Sequence, residues 1–457
     1  MKEATATQLR FWGGLETIGG NIVTIQSGNY RILTDFGALA GAKLEDLNDK
    51  TLTTALLNQQ QLPAIEGLYT EQQLGPVSEL ESYEASAIQT IVCLSHLHLD
   101  HIGGFGQLPE SLPIYALQES VNFYQQLAAL NLLPSYHMNW QGVQSEVPFQ
   151  FGPFTIEFVA SDHDTLGAAS LFIEAPDLKI VNSGDFRLSG FHPERVLHWA
   201  EKARQFQPDL FLVEGTTFSF DESTRDERMQ VAEALWTQVD SISASNERRL
   251  LQAYRQLLAD NPTRPVALNV YPQNIERLVE FAVAAMANDR ELVLEPNYYQ
   301  LLRPYASSAT ILRYIDLGQA PAEALPAEDA VTWAEVVAQP ERYVVQVDYD
   351  QQHDYVLELP NGIYIHSNGV PLGSYDPRYM PWLEQIVAKG WTFYHAHVSG
   401  HASTDALCLV NYVVQAKKVV PWHTFKPEVY AQALSELGLD PWLPVYGQSY
   451  TADQIKG

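Results

Sequence analysis

The sequence predicts an α/β protein: a layered αββα body interrupted by an inserted parallel α/β unit. Three observations lead there. Short apolar strand patterns dominate residues 1–217. From 218 the texture changes, and helix and strand patterns alternate. From about 391 the first texture returns. The expected division is 1–217 and 391–457 for the two parts of the body and 218–390 for the insertion. A chain of 457 residues suits more than one domain, since a domain usually holds ~100–200 residues.

The elements follow in order. "NIVTIQSGNYRILTDFG", residues 21–37, predicts two strands around the turn Ser27-Gly28-Asn29, the second ending in Asp35. Residues 38–88 carry helical and irregular patterns. "IQTIVCLS" is a short buried strand and "ESVNFYQQLAALNLL" a helix. "FTIEFVAS", "ASLFIEA", "LKIVNSGD" and "PDLFLVEGT" supply further strands. In the insertion, residues 225–260 read as charged helix. "PVALNVY" and "RELVLE" are strands with the helix "NIERLVEFAVAAMAND" between them. Pro321 to Pro340, rich in Ala, Glu and Pro, has linker character. "YVVQVDY" and "NGIYIHS" return to strands. The resumed body holds "WTFYHAHVSGH", a helix, then "KKVVPWH".

Composition narrows the class. No apolar run reaches the ~18 residues of a membrane span. The opening "MKEATATQLRFWGG" lacks the apolar core of a secretory signal. Only Cys93 and Cys408 are present, so no disulfide framework is expected. These features point to a cytoplasmic protein without a membrane partner, and homo-oligomers remain compatible. The net charge is −28, from 27 Lys+Arg against 55 Asp+Glu. Phosphate backbones attract basic proteins, so charge alone ranks nucleic acid low. Charge is global, however, and bound cations change the field of a groove locally.

The chemistry concentrates in "SHLHLDHIGG", residues 95–104. It follows a strand, so His96 and His98 can turn toward one point, and Asp100 and His101 toward a second. Gly103 and Gly104 permit a sharp turn. Imidazole with carboxylate suits zinc, and also manganese or iron. Other candidates stand at strand ends: His163 in "SDHDT", Asp185 in "NSGDFR" and His423 in "VVPWHTF". A carboxylate at Asp185 could bridge two metals. Ser399 and Gly400 in "VSGHAS" offer a hydroxyl and backbone amides ahead of a helix, a suitable phosphate site.

In these motifs the chain resembles the metallo-β-lactamase fold, and more narrowly its β-CASP nucleic-acid-processing branch. "LTDFG" with Asp35 resembles the first motif and "HLHLDH" the second; His163 and Asp185 match the third and fourth. "VEGTTF" with Glu214, "HVSGHAS" with His401 and "PWH" with His423 resemble motifs A, B and C. "NVYPQNIERLVEFA" through "IYIHSNGVPLGSYDP" resembles the inserted segment. The resemblance implies one metal on His96, His98 and His163 and a second on Asp100, His101 and His423, bridged by Asp185. Zinc is the expected ion, with manganese the alternative. Asp35 would orient ligands, and Glu214 with His401 would serve the leaving group as a general acid. Ribonuclease J-type relatives use the Ser399-Gly400 stretch for phosphate. "VSGHAS" leans toward ribonuclease J, and Glu-Gly-Thr in motif A toward cleavage-factor relatives. Only 34 residues follow His423, so the separate C-terminal domain usual in ribonuclease J is expected to be absent.

Three functions compete. The first is a two-metal phosphodiesterase acting on single-stranded RNA, which a His at motif C favours over DNA by resemblance. The second is a two-metal hydrolase of a small ester, lactone or phosphodiester, which the negative charge favours. The third is a non-catalytic subunit of an RNA-processing complex, disfavoured because all seven ligand candidates are kept.

Overall fold

The computed structural model describes residues 6–39, 41–76, 78–220, 239–243, 246–318, 325–350, 354–374 and 376–457. Two sheets lie face to face. The first runs in the order Ser449–Thr451, Gln8–Phe11, Val23–Ser27, Tyr30–Thr34, Gln89–Cys93, Pro113–Leu117, Asn139–Val143. The second runs Lys418–Trp422, Leu210–Glu214, Lys179–Asn182, Ala169–Glu174, Phe154–Ala160, Phe149–Phe151.

Alternation along the strands builds the core between them. Leu9, Phe11, Val23, Ile25 and Ile91 of one sheet meet Ile156, Phe158, Leu171, Ile173 and Leu212 of the other. The opposite faces are covered by helices. Gln118–Ala129 covers the first sheet, placing Phe123 and Leu127 in a core with Val92 and Ile114. Pro193–Phe206 and Thr404–Val414 cover the second, with Trp199 and Leu407 packed against Phe211 and Val213. This is the expected αββα sandwich.

A third sheet holds eight strands in the order Val239–Ser243, Thr392–His397, Ile363–Ser367, Val266–Val270, Tyr343–Gln346, Glu291–Leu294, Leu312–Asp316, Ala330–Thr332. Every pairing in it is parallel. Its central strands Ile363–Ser367, Val266–Val270 and Tyr343–Gln346 are buried on both faces, as crossover helices require. Glu247–Asp260 and Ile275–Met286 lie on one face, Trp333–Ala338 and Tyr379–Ala388 on the other.

Three expectations need correction. The segment read as one charged helix over 225–260 contains the strand Val239–Ser243 before the helix Glu247–Asp260; residues 225–238 and 244–245 of it lie outside the described residues. The Pro321–Pro340 stretch, whose residues 321–324 also lie outside, is not all linker. It carries a strand and then a helix started by a capping box, in which Thr332 and Glu335 satisfy each other's backbone amides. The strand Thr392–His397, read as part of the resumed body, is hydrogen-bonded between Val239–Ser243 and Ile363–Ser367. The return to the two-sheet body therefore comes after His397. No helix among the described residues is long and apolar enough to cross a membrane.

Candidate metal centre

Strand order explains how distant residues meet. Asp35 follows Tyr30–Thr34, and "SHLHLDH" follows its parallel neighbour Gln89–Cys93. Asp185 follows Lys179–Asn182, Glu214 ends Leu210–Glu214 and His423 follows Lys418–Trp422, three parallel neighbours. His163 follows Phe154–Ala160. His401 follows Thr392–His397 of the third sheet. Asp35 and His423 adopt left-handed backbone, φ 57° and 55°. Non-glycine residues rarely do so, and such conformations cluster where function fixes the chain.

Three groups of possible ligands form among the described residues. The ligand atoms of His96, His98 and His163 lie within 4.8 Å of one another, and so do those of Asp100, His101, Asp185 and His423; Glu214, His401 and His423 make a third group, which shares His423 with the second. Asp185 stands between the first two groups: its Oδ2 is 3.7 Å from His96 Nε2 and 3.2 Å from His101 Nε2, and its Oδ1 is 3.7 Å from His423 Nδ1. All seven residues that the motifs single out as ligands are thus brought together.

Their second nitrogens are held from behind. Asp35 accepts from the Ser95 amide at 2.7 Å and the Ser95 hydroxyl at 3.0 Å, and its Oδ2 lies 2.8 Å from His101 Nδ1. His96 Nδ1 meets the Ser95 hydroxyl at 3.0 Å. His423 Nδ1 donates to Thr216 Oγ1 at 2.6 Å, while that hydroxyl donates to the His423 carbonyl. His163 Nδ1 donates to the Gly400 carbonyl. Such contacts select the tautomer and aim the other nitrogen inward. Thr216 and the Gly400 carbonyl were not foreseen; Thr216 was visible only as the residue two beyond Glu214.

Electrostatics fit a cation. Burial pushes His96 and His98 down, and His163 down to about 3, so these imidazoles stay neutral. Neutral imidazole is the form that binds a metal. On the other side burial also opposes charge on His101, yet Asp185, Asp100 and Asp35 outweigh it and raise its pKa well above the usual range. Asp185 is pushed well below the carboxylate range, because its histidine neighbours, His423 first, overcome its burial. His96 Nε2 is buried without a hydrogen-bond partner among the described residues. An orphaned inward nitrogen, three neutral imidazoles and two carboxylates are a donor set for divalent ions such as zinc.

Beside this set, His401 Nδ1 lies 3.5 Å from Glu214 Oε2 and 3.7 Å from Asp185 Oδ2. Burial disfavours its charge, but Glu214, Asp185 and Asp164 prevail and lift its pKa to about 9. Glu214 is itself fixed by the Thr216 amide at 3.0 Å and the Ala402 amide at 3.2 Å. The side chains of His401 and Asp100 are 23% and 29% exposed, so the centre opens on their side. The segment after the third-sheet strand Val266–Val270 reaches the three-histidine group: the Tyr271 ring is 5.7 Å from the His98 ring, and Gln273 joins Thr165 Oγ1 to the Leu97 carbonyl.

Ser399 and Gly400 lie farther from the helix than the sequence implied. That helix starts at Thr404, with Ser403 as its cap. The Ser399 hydroxyl accepts from the His401 amide at 3.0 Å. The free amides of the helix start therefore belong to later residues.

Comparison with known proteins agrees with this architecture. Residues 68–248 match the family model described as the beta-lactamase superfamily domain. Ribonuclease J of Helicobacter pylori is 21% identical over 425 residues, covering 90% of this chain and 55% of that protein. Ribonuclease J of Mycoplasma genitalium is 22% identical over 448 residues, covering 91% of this chain and 68% of its own. The chain thus spans about half the length of the Helicobacter relative, 55% of it. A crystal structure of an Enterococcus faecalis protein of unknown function superposes with a TM-score of 0.81 at 28% identity, covering 98% of this chain and 100% of the other. Sandwich, inserted parallel sheet and chain-long likeness to ribonuclease J together give this chain the metallo-β-lactamase fold, and it resembles the β-CASP, ribonuclease J-like branch.

Proposed function

We propose that the protein is a metal-dependent phosphodiester hydrolase acting on single-stranded RNA in the cytoplasm. The observation that carries this is Asp185, set between two ligand groups and within 3.7 Å of His401. His96, His98 and His163 would hold one divalent ion, and Asp100, His101 and His423 the other, with Asp185 shared. When bound, the ions supply Lewis acidity for a phosphodiester and its attacking water. The chain's own residues do the rest. His401, protonated beside Glu214, gives a proton to the leaving oxygen. Glu214 keeps that imidazole charged and aimed. Asp35, Thr216 and the Gly400 carbonyl keep the ligand histidines in the required tautomers. Ser399 and Gly400 line the approach of a neighbouring phosphate.

RNA is favoured as substrate by the likeness to ribonuclease J along 90% of the chain. The net charge of −28 favours a small ester, lactone or phosphodiester instead. One comparison separates them: metal-loaded protein is incubated with 5′-phosphorylated RNA, DNA of the same sequence and bis-p-nitrophenyl phosphate. Cleavage of RNA well above DNA is expected. Turnover of the small ester with none of RNA would replace this reading with the small-substrate one.

A further inference from the structure

Asp164 stands in the centre, yet no motif accounts for it. It follows His163 directly and is 8% exposed. Its Oδ1 lies 3.5 Å from His98 Nε2 and 3.5 Å from His163 Nε2. Neither that oxygen nor His98 Nε2 has a hydrogen-bond partner among the described residues. Gly400 packs on the same carboxylate, and a Cβ there would come within 2.7 Å of Oδ1. The buried Arg187 and Arg277 lie close enough to stabilise its charge.

An imidazole offers one nitrogen to a cation when the other carries the proton, and a hydrogen-bond acceptor decides which. His96, His101, His163 and His423 each have one: Ser95, Asp35, the Gly400 carbonyl and Thr216. His98 is the exception. Its Nδ1 converges on His163 Nε2 at 3.0 Å, which turns its Nε2 toward Asp164. A shift of about 0.6 Å would bring that pair to ordinary hydrogen-bond length.

We propose that Asp164 is a positioning residue of the metal centre: its carboxylate takes the Nε2–H of His98 and leaves Nδ1 to bind a divalent cation beside His96 and His163. This rests on the metal-centre reading above. It also gives Gly400 a second duty, since a larger residue there would push Asp164 off His98.

Zinc affinity measured against a chromophoric chelator tests it, with wild type, Asp164→Asn, Asp164→Ala, His98→Ala and the double variant His98→Ala/Asp164→Ala. Asp164→Ala should weaken one of the bound zinc ions by roughly 10–100-fold, the usual cost of losing a ligand's hydrogen-bond partner. Asp164→Asn, which keeps the shape, should lose less. Once His98 is gone, removing Asp164 should cost little more, because the carboxylate acts through that ring. Melting of the metal-free proteins reports folding separately, and Asp164→Asn carries the comparison where the alanine variant does not fold. Wild-type affinity in Asp164→Ala and Asp164→Asn alike, or fully additive losses in the double variant, would overturn the proposal. A wild-type protein that takes up no zinc would instead overturn the metal-centre reading, and this proposal with it.

Discussion

His401 is the residue on which chemistry and geometry part company with metal binding. It is 3.7 Å from Asp185 but paired with Glu214, and its side chain faces the open side of the centre. His401→Ala should therefore keep its metal content and slow RNA cleavage by roughly 10²–10⁴-fold, the range for a lost general acid. A p-nitrophenyl ester has a leaving group that needs no proton, so its turnover should fall far less. Equal damage to both substrates would remove His401 from the acid role. A second residue predicts pH behaviour away from the centre. Glu295 is buried in the third-sheet unit, and burial, aided by Asp348, raises its pKa to about 8. Its Oε1 accepts the Asp348 amide at 3.0 Å, and its Oε2 has no partner among the described residues. The folded state then holds a proton that the unfolded chain releases near 4.5. Stability is lost as pH rises from that value to about 8 and is level above it. Glu295→Gln removes the titration. Its melting temperature should gain on wild type between pH 5 and 8, by the equivalent of at most about 4 kcal/mol. A gap that does not widen with pH would show that Glu295 ionises freely.

At the scale of elements, the turn after Asp35 and the segment carrying Asp100 act as one piece. The Phe36 amide donates to the His101 carbonyl at 2.8 Å and the Ala38 amide to the Leu99 carbonyl at 3.0 Å. Gly37 lies between, and a Cβ on it would fall 1.5 Å from the Asp100 carbonyl oxygen. Gly37→Ala must separate two backbones, which no rotamer relieves. We expect a loss of about 1–3 kcal/mol, as for overpacked cores, read by denaturant unfolding. Weaker metal binding at Asp100 and His101 should accompany it. Wild-type stability and metal content together would mean that the segments part without cost. This scale also explains what could be read in advance. "HLHLDH" was legible because its four ligand candidates lie within six residues on one loop, so local spacing alone carries the chemistry. His163, Asp185 and His423 were legible because each ends an apolar strand run. Asp164 was passed over in "SDHDT" although it stands next to His163, because its partner His98 is distant in sequence. Strand Asn139–Val143 has no fully buried residue and so no apolar signal. The helix Trp333–Ala338 was hidden by the prolines and alanines around it, although "TWAE" carries its capping box.

At the scale of the molecule, one strand was misplaced for a reason that no local pattern could repair. Thr392–His397 looks like any buried strand; its sheet is decided by pairing with residues some 30 and 150 positions earlier, Ile363–Ser367 and Val239–Ser243. Charge is also a property of the whole. With −28 overall, a reading in which RNA is the substrate requires a grip that rests on few phosphates, on bound cations and on aromatic faces such as Tyr271 beside His98. Binding of RNA to metal-loaded His401→Ala should weaken only gently with salt, with a slope equivalent to roughly two or three phosphate contacts instead of the ~6–10 of a basic binder. A steep slope would reveal a basic groove; no binding at any salt would favour a small substrate.

The centre draws on residues from Asp35 to His423, and the whole third sheet is threaded between Glu214 and His401. This has a consequence for the protein during its own synthesis. A ribosome must pass the codon for His423 before the seventh candidate ligand exists, and the exit tunnel must then release it. A chain halted earlier, by a damaged message or a stalled ribosome, can complete the three-histidine group and still lack His423. If the finished protein cuts RNA, its unfinished forms are withheld from the transcript on which they hang.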